Sequence, residues 1–191
     1  MNIKNLVLES IKTKIKLAHD KNLISNINKA ANKINDTFSR GNKILIAGNG
    51  GSAADAQHFA AELLGQFSIK NRVSLPAIAL ATNTSIITAI GNDFSFEEIF
   101  SRQVEGLGRP GDIFFCISTS GNSENIVRAC RVAKKKGIFI IGLLGKKGGK
   151  VKDLADISLI VPGQKTSFIQ EAHIMIIHVL CQAVDEYFTK K

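Results

Sequence analysis

Cysteine is scarce, and that scarcity excludes two classes of small protein. Cys116, Cys130 and Cys181 are an odd set without close spacing, which rules out a disulfide framework or a cysteine-based zinc site. Each sits among apolar neighbours, as packed, reduced thiols in a cytoplasmic protein do. The first ten residues, MNIKNLVLES, lack the apolar stretch of a secretory signal. The most apolar run, 137–145, is far too short to span a bilayer. No Gly-Lys-Ser/Thr is present, so there is no Walker loop, and no Gly-x-Ser-x-Gly, so no serine nucleophile on an elbow. Arginine-rich helices and basic patches interleaved with aromatics are missing too. The formal charge of +9 would by itself suit an anionic substrate, a nucleic acid or a membrane surface equally well, but its scatter in short lysine groups reads as a solvated basic surface rather than a nucleic-acid groove.

What is present is ordinary for a soluble globular chain. Apolar residues make up 45% and charged residues 21%, and 191 residues are enough for one domain with a substantial core. Residues 1–40 carry two helical stripes: Ile3, Val7, Ile11, Ile15, then Leu23, Ile24, Ile27, Ala31, Ile34, Phe38. Neither stripe has a core of its own, so this helical extension must pack on the following domain or on another subunit. From residue 41 strands and helices alternate. Strands are expected at 43–47, 77–81, 112–118, 138–143 and 157–161. Helices are expected at 52–66, 84–90, 96–107, 124–136, 151–155 and 166–188. Such alternation implies right-handed crossovers and a five-stranded parallel sheet covered on both faces.

Ligands in such sheets bind at the carboxyl ends of the strands, where two turns stand out. The first is Gly48-Asn49-Gly50-Gly51-Ser52, a glycine turn opening a helix, where unpaired backbone N–H groups make an anion site. It matches a loose Gly-x-Gly-x-x-Ala dinucleotide fingerprint, but residues 70–82 hold no acidic partner for a ribose. The second is Ser118-Thr119-Ser120-Gly121-Asn122-Ser123. One N-cap needs one hydroxyl, and here there are four, which favours a phosphate cradle over a plain cap. His58 and Glu62 share a helix face at i, i+4, as an acid/base or metal-ligand pair or as an exposed helix pair. Gln170, Glu171, His173 and His178 punctuate the apolar last helix, with Gln170 and His178 about two turns apart. A lone histidine in such a setting is more often a core residue than a ligand.

The strings GNGGSAADAQHFAAEL, AIGNDFSFEEIFSRQVEGLGRPGD, ISTSGNS and IQEAHIMIIHVLCQ resemble the sedoheptulose 7-phosphate isomerases (phosphoheptose isomerases), within the sugar-isomerase (SIS) phosphosugar-binding domains. The resemblance covers nearly the whole chain. It implies a three-layer α/β/α sandwich of flavodoxin-like type, assembled as a homotetramer. It implies conversion of sedoheptulose 7-phosphate to a glycero-manno-heptose 7-phosphate through an enediol. Under it, Asn49, Gly50, Gly51, Ser52, Asn92, Asp93, Ser118, Thr119, Ser120 and Ser123 match substrate contacts, joined by Glu62 and Gln170. His58, Glu62, Gln170 and His178 match zinc ligands, and Glu62 and His178 also match the proton-transfer pair. A close relative of the family instead binds the bacterial replication initiator, but its positions matching Glu62 and His178 are not Glu and His. One departure stands out: where the family often carries an arginine before Ile169-Gln170, this chain has Phe168.

Overall fold

The structure is a computed structural model and describes residues 2–189. Two helices lead, α1 (Ile3–His19) and α2 (Lys21–Ser39). Asp20 both ends the first and caps the second, its carboxylate accepting from the N–H groups of Asn22 and Leu23 at 3.0 Å. Then follow β1 (Ile44–Gly48), α3 (Gly51–Leu64), β2 (Ala77–Ala79), α4 (Thr84–Asp93), a 3-10 turn (Phe96–Glu98), α5 (Ser101–Leu107), β3 (Ile113–Ser118), α6 (Glu124–Lys135), β4 (Phe139–Gly145), α7 (Gly149–Lys152), β5 (Ile157–Val161) and α8 (Thr166–Thr189).

All five strands are parallel, in the order β2-β1-β3-β4-β5. The order reverses between β1 and β3, which makes their carboxyl ends the switch-point crevice of a flavodoxin-like sheet. Side chains alternate faces along each strand, and both faces are apolar. Ile44, Ile46, Phe115 and Ile117 pack under α2, α3 and α8, while Leu45, Ala47, Phe114 and Cys116 pack under α5 and α6. By length and composition α8 could cross a membrane. Here its apolar face is the core itself, with Ile169, Ala172, Ile176, Ile177, Leu180 and Val184 buried.

Three expectations need correction and one is narrowed. Of the two partners open to the stripe Ile3, Val7, Ile11, Ile15, this chain is not one: these side chains are 68, 55, 45 and 51% exposed. The helix docks by its more polar side, with Ser10, Thr13 and Leu17 buried, and Glu171 of α8 accepts from Ser10 and Lys14. The expected helix 96–107 is broken. At that corner the Glu98 carboxylate accepts from Ser101 and Arg128, and its carbonyl accepts the Ser101 hydroxyl at 3.0 Å, so hydrogen bonds go to side chains rather than to a helical ladder. Helix α4 runs on through Gly91 to Asp93, so Asn92 and Asp93 lie in its last turn instead of a loop. Strand β4 continues two residues further than expected, because Leu144 and Gly145 pair with Ile160 and Val161.

A buried ion pair joins the end of α3 to α8. Arg72 Nε lies 2.6 Å from Asp185 Oδ1, with both side chains essentially without solvent. The rest of the guanidinium donates to the carbonyls of Glu62, Leu63, Gly65 and Val73, closing the carboxyl end of α3. Asp185 also accepts from the N–H groups of Ser68 and Ile69. Burial works against its charge, but those two N–H groups and Arg72 outweigh it and hold the carboxyl below its usual range. Removing one partner strands the other without compensation. Arg72→Ala is expected to lose about 3–5 kcal/mol in urea unfolding, and Arg72→Lys, which keeps the charge but not the fork, about half of that. A loss under about 1 kcal/mol for Arg72→Ala would show that the pair is not what holds this corner.

Candidate active site

Strands β1 and β3 are neighbours in register, with Gly48 beside Ile117, so the two turns that follow them open on the same edge. Gly50 takes φ +55°, a conformation that favours glycine, and the N-terminus of α3 has no side-chain cap. The N-terminus of α6 has none either: the Ser123 hydroxyl does not cap it but lies 3.4 Å from Ser118 Oγ. Ser118 Oγ accepts from the Gly121 N–H at 3.1 Å, and Ser120 Oγ from the Asn122 N–H at 3.2 Å. Two uncapped helix N-termini and a ring of hydroxyls thus converge, a natural seat for a phosphate.

The turns are tied together by a pair that sequence reasoning missed. Asn49 and Asn125 exchange amide hydrogen bonds, each Nδ2 donating to the other's Oδ1 at 2.9 Å. Asn125 is buried in the first turn of α6. Its place one helical step after the hydroxyl turn was a signal, but nothing in the sequence said that Asn49 would be its partner.

Helices α3 and α8 run side by side in the same direction. Gln170 lies so close to Gly51 that any side chain there would collide with its amide. Further along, His58 Nε2 faces His178 Nε2 at 3.0 Å, with the rings edge to face, and Phe67 stacks on the other side of His178. Glu62 Oε1 is 3.6 Å from His58 Nε2. The seam therefore gathers His58, Glu62 and His178, with Gln170 at its turn end. Sequence reasoning also missed Asp55, one turn before His58. Burial raises the Asp55 carboxyl above its usual range, against the opposing influence of Gln170 and His58, and its Oδ2 has no partner. Asn92 and Asp93 are not brought to this seam within one chain. They are exposed and hydrogen-bond to each other, and neither bonds to the turns or to α8.

Two imidazole nitrogens that face each other need a proton or a cation between them. Two histidine ligands of one tetrahedral zinc stand about 3.3 Å apart, close to the separation seen here. Among the described residues, however, no three His, Cys, Asp or Glu side chains are already drawn together as a cage. Chemically, the seam offers a carboxylate and two imidazoles, and the helix that carries two of the three opens at the uncapped glycine turn, a combination able to move protons and to bind an anion.

Residues 9–145 match the SIS domain family. A phosphoheptose isomerase from a Nitratiruptor species is 61% identical over 146 residues, 76% of this chain and 78% of its own length. Among solved structures, the phosphoheptose isomerase of Neisseria gonorrhoeae is 42% identical with a TM-score of 0.90, covering 96% of this chain and 97% of its own. That of Francisella tularensis is 40% identical with a TM-score of 0.92, covering 96% of each.

His173, the other histidine of α8, is a core residue. It is fully buried, its Nε2 lies 3.1 Å from the Leu144 carbonyl, and its Nδ1 has no partner. Burial pushes its imidazole down to about 4 from 6.5, only partly opposed by that hydrogen bond. The unfolded chain thus binds this proton at a higher pH than the folded one. The stabilisation is complete above pH 6.5 and drains away as the pH falls toward about 4. At full extent it amounts to about 3 kcal/mol. His173→Leu is expected to flatten the pH dependence of stability across that window. An unchanged slope in the variant would assign the acid sensitivity to other groups.

Proposed function

The chain belongs to the SIS-domain family and, within it, to the phosphoheptose isomerases, and we propose that its strand-end turns and the α3–α8 seam form the site where sedoheptulose 7-phosphate becomes D-glycero-D-manno-heptose 7-phosphate. The chain is an isomerase of heptose phosphate metabolism. The observation that carries the site assignment is the meeting of His58 and His178 across the seam beside Glu62, about two helical turns along α3 from the glycine turn.

In this reading Ser118, Thr119, Ser120 and Ser123 hold the phosphate with neutral donors, and Asn49, Gly50, Gly51 and Ser52 line the sugar. Glu62 takes a proton from C1 of the open-chain ketose, and the electrons move into a C1–C2 double bond. The oxygen on C2 gains a proton, giving the enediol. The reverse movement releases the proton on the C1 oxygen and places one on C2, leaving an aldehyde at C1. His178 handles this second transfer, and no net proton is consumed. Phe67, stacked on His178, and His58 fix the orientation of its ring. His58, Glu62 and His178, with the Gln170 oxygen as a weaker fourth donor, are the residues that would hold a zinc ion, which when bound would polarise the sugar oxygens. Both Glu62 and His178 are present, which disfavours the reading as a non-catalytic partner of the replication initiator. A cytoplasmic setting accords with three free, buried thiols.

We read the assembly as a homotetramer built partly through residues 1–40. The exposed aliphatic stripe of α1 supports this, and in this reading Asn92 and Asp93, exposed at the end of α4, would serve the site of a neighbouring copy.

Glu62→Gln keeps the shape of the side chain and removes the base. It is expected to lower kcat by roughly 10²–10⁴-fold with little change in KM, in a protein whose circular dichroism matches the wild type. Turnover of sedoheptulose 7-phosphate at the wild-type rate by this variant would overturn the proton-transfer assignment. Val7→Glu combined with Ile11→Glu is expected to reduce the mass seen by light scattering while leaving the subunit folded. An unchanged mass would remove α1 from the interface.

A further inference from the structure

A second concave surface shares no lining residue with the His58, Glu62, Gln170 and His178 set of the α3–α8 seam. A cavity of about 550 Å³ opens between α1, the loop after β4 and the loop before α8. Its wall carries Lys12 and Lys16 from α1, Lys146 and Lys147 after β4, and Lys165 before α8. The one acid in the wall, Glu9, is already engaged by Lys165. The other four ammonium groups have no ion-pair partner among the described residues. Gathering like charges in a concavity is unfavourable unless an anion is to enter. Phe168 lines the same cavity, half-buried, with the Lys165 ammonium 5.1 Å from its ring centroid.

Two features argue that this is more than a solvated lysine surface. Lys146 holds φ +54°, a backbone conformation that costs a side-chain-bearing residue about 1 kcal/mol or more. The strained residue is one of those that present charge to the cavity. In addition, the positions on α1 that line the cavity are nearly opposite the exposed stripe of Val7, Ile11 and Ile15 on the helix circumference. A copy docked on the stripe would leave the cavity open.

We propose that this cavity is a second anion site, for a nucleoside polyphosphate, linked to the phosphate turn of the isomerase site. Four unpaired ammonium groups on two segments, with the paired Lys165 on a third, exceed what one phosphate group needs, and the partly exposed phenyl ring offers a platform for a planar base. The volume lies in the range of small-molecule sites. The link is the loop 145–150. The Val151 N–H donates to the Gly121 carbonyl at 3.0 Å, the Lys150 N–H donates to Asn122 Oδ1 at 3.0 Å, and Gly148 packs on Gly121 with no room for a side chain. A ligand that draws on Lys146 and Lys147 therefore pulls on the backing of the turn 118–123. This linkage rests on the phosphate role proposed above for that turn, whereas binding itself does not.

The test is calorimetric titration of the full chain with ADP, pyrophosphate and inorganic phosphate at physiological ionic strength. ADP should bind about tenfold more tightly than pyrophosphate, and inorganic phosphate more weakly than both. Lys12→Ser with Lys16→Ser should weaken ADP by about tenfold or more and leave isomerase activity without ADP unchanged. Phe168→Ala should erase the preference for ADP over pyrophosphate. Ser120→Ala should leave ADP binding intact, which separates this site from the substrate site. Saturating ADP should change KM for sedoheptulose 7-phosphate by about fivefold or more in the wild type and not in the double lysine variant. Absence of ADP binding, or binding lost in Ser120→Ala and kept in the lysine variant, would overturn the site. Binding with an unchanged KM would overturn the linkage.

Discussion

The buried Arg72–Asp185 pair is the constraint on which the candidate site depends. Neither charge can be hydrated where it lies, so each must be satisfied by the other and by backbone groups. Arg72 does this by spending its remaining N–H groups on the last carbonyls of α3, and Asp185 by accepting from the chain that leaves α3. The result is a clamp at one end of the α3–α8 seam. At the other end Gln170 sits on the bare backbone of Gly51. Between the two, the helices have little freedom to slide, and the His58–His178 contact is held at hydrogen-bonding distance. The Glu62 carbonyl is itself one of the groups that Arg72 engages. The proposed base therefore stands on backbone fixed by the pair.

The sheet supplies the other half of the arrangement. Parallel strands in the order 2-1-3-4-5 leave one crevice at the carboxyl edge, and both helix N-termini flanking it are without side-chain caps. Uncapped N-termini are a cost to the protein alone that a bound anion offsets. The Asn49–Asn125 amide pair bridges the crevice at its base and sets the separation of the two turns. In the proposed reading, phosphate at this edge would be met by hydroxyls and N–H groups, while the lysine-lined cavity beside β4 and β5 would meet its anion with full charges. Neutral donors fix geometry over a short range. Ammonium groups attract at a distance and tolerate varied orientation, which suits a larger and more highly charged ligand.

How much of this was legible in the sequence follows the range of each interaction. Strands β1, β3 and β5 were readable because their apolar runs are bounded by glycine, proline or polar turns. The two turns were readable because glycine and serine at a strand end have few other uses. Contacts between distant residues left no local trace. Arg72 and Asp185 are 113 residues apart, and neither differs in its neighbours from an ordinary surface charge. The two histidines of α8 show the limit clearly. Five residues of helix separate His173 from His178, which turns them about 140° apart. Periodicity thus implied that they face different surroundings, but not which one met α3. Packing decided it: His173 went into the core and His178 onto the seam. The corner at 95–101 failed for a different reason. Its residues have a helical pattern, but Glu98, Ser101 and Arg128 offered the chain side-chain hydrogen bonds that compete with the helix.

Helix α1 left two partners open in the sequence, and the structure removes one of them. Its apolar stripe is real, yet the subunit docks the helix by the side that buries Ser10 and Thr13, where the Glu171 carboxylate accepts from Ser10 and Lys14. A polar face turned inward and an apolar face turned outward would be a poor arrangement for a chain that stays alone. Ile3, Val7, Leu8, Ile11 and Ile15 are each roughly half exposed. Covering the remainder of each is worth about 1 kcal/mol, so two such helices meeting supply on the order of 10 kcal/mol. That is comparable with the about 4–15 kcal/mol of rotational and translational freedom that association costs. The polar docking of α1 is then no defect of packing. It leaves the apolar face open for the proposed second copy, and it turns the lysine side of the same helix toward the loop that backs the turn 118–123. One short helix, bonded to α8 through a single carboxylate, thereby connects the proposed assembly, the basic cavity and the catalytic edge.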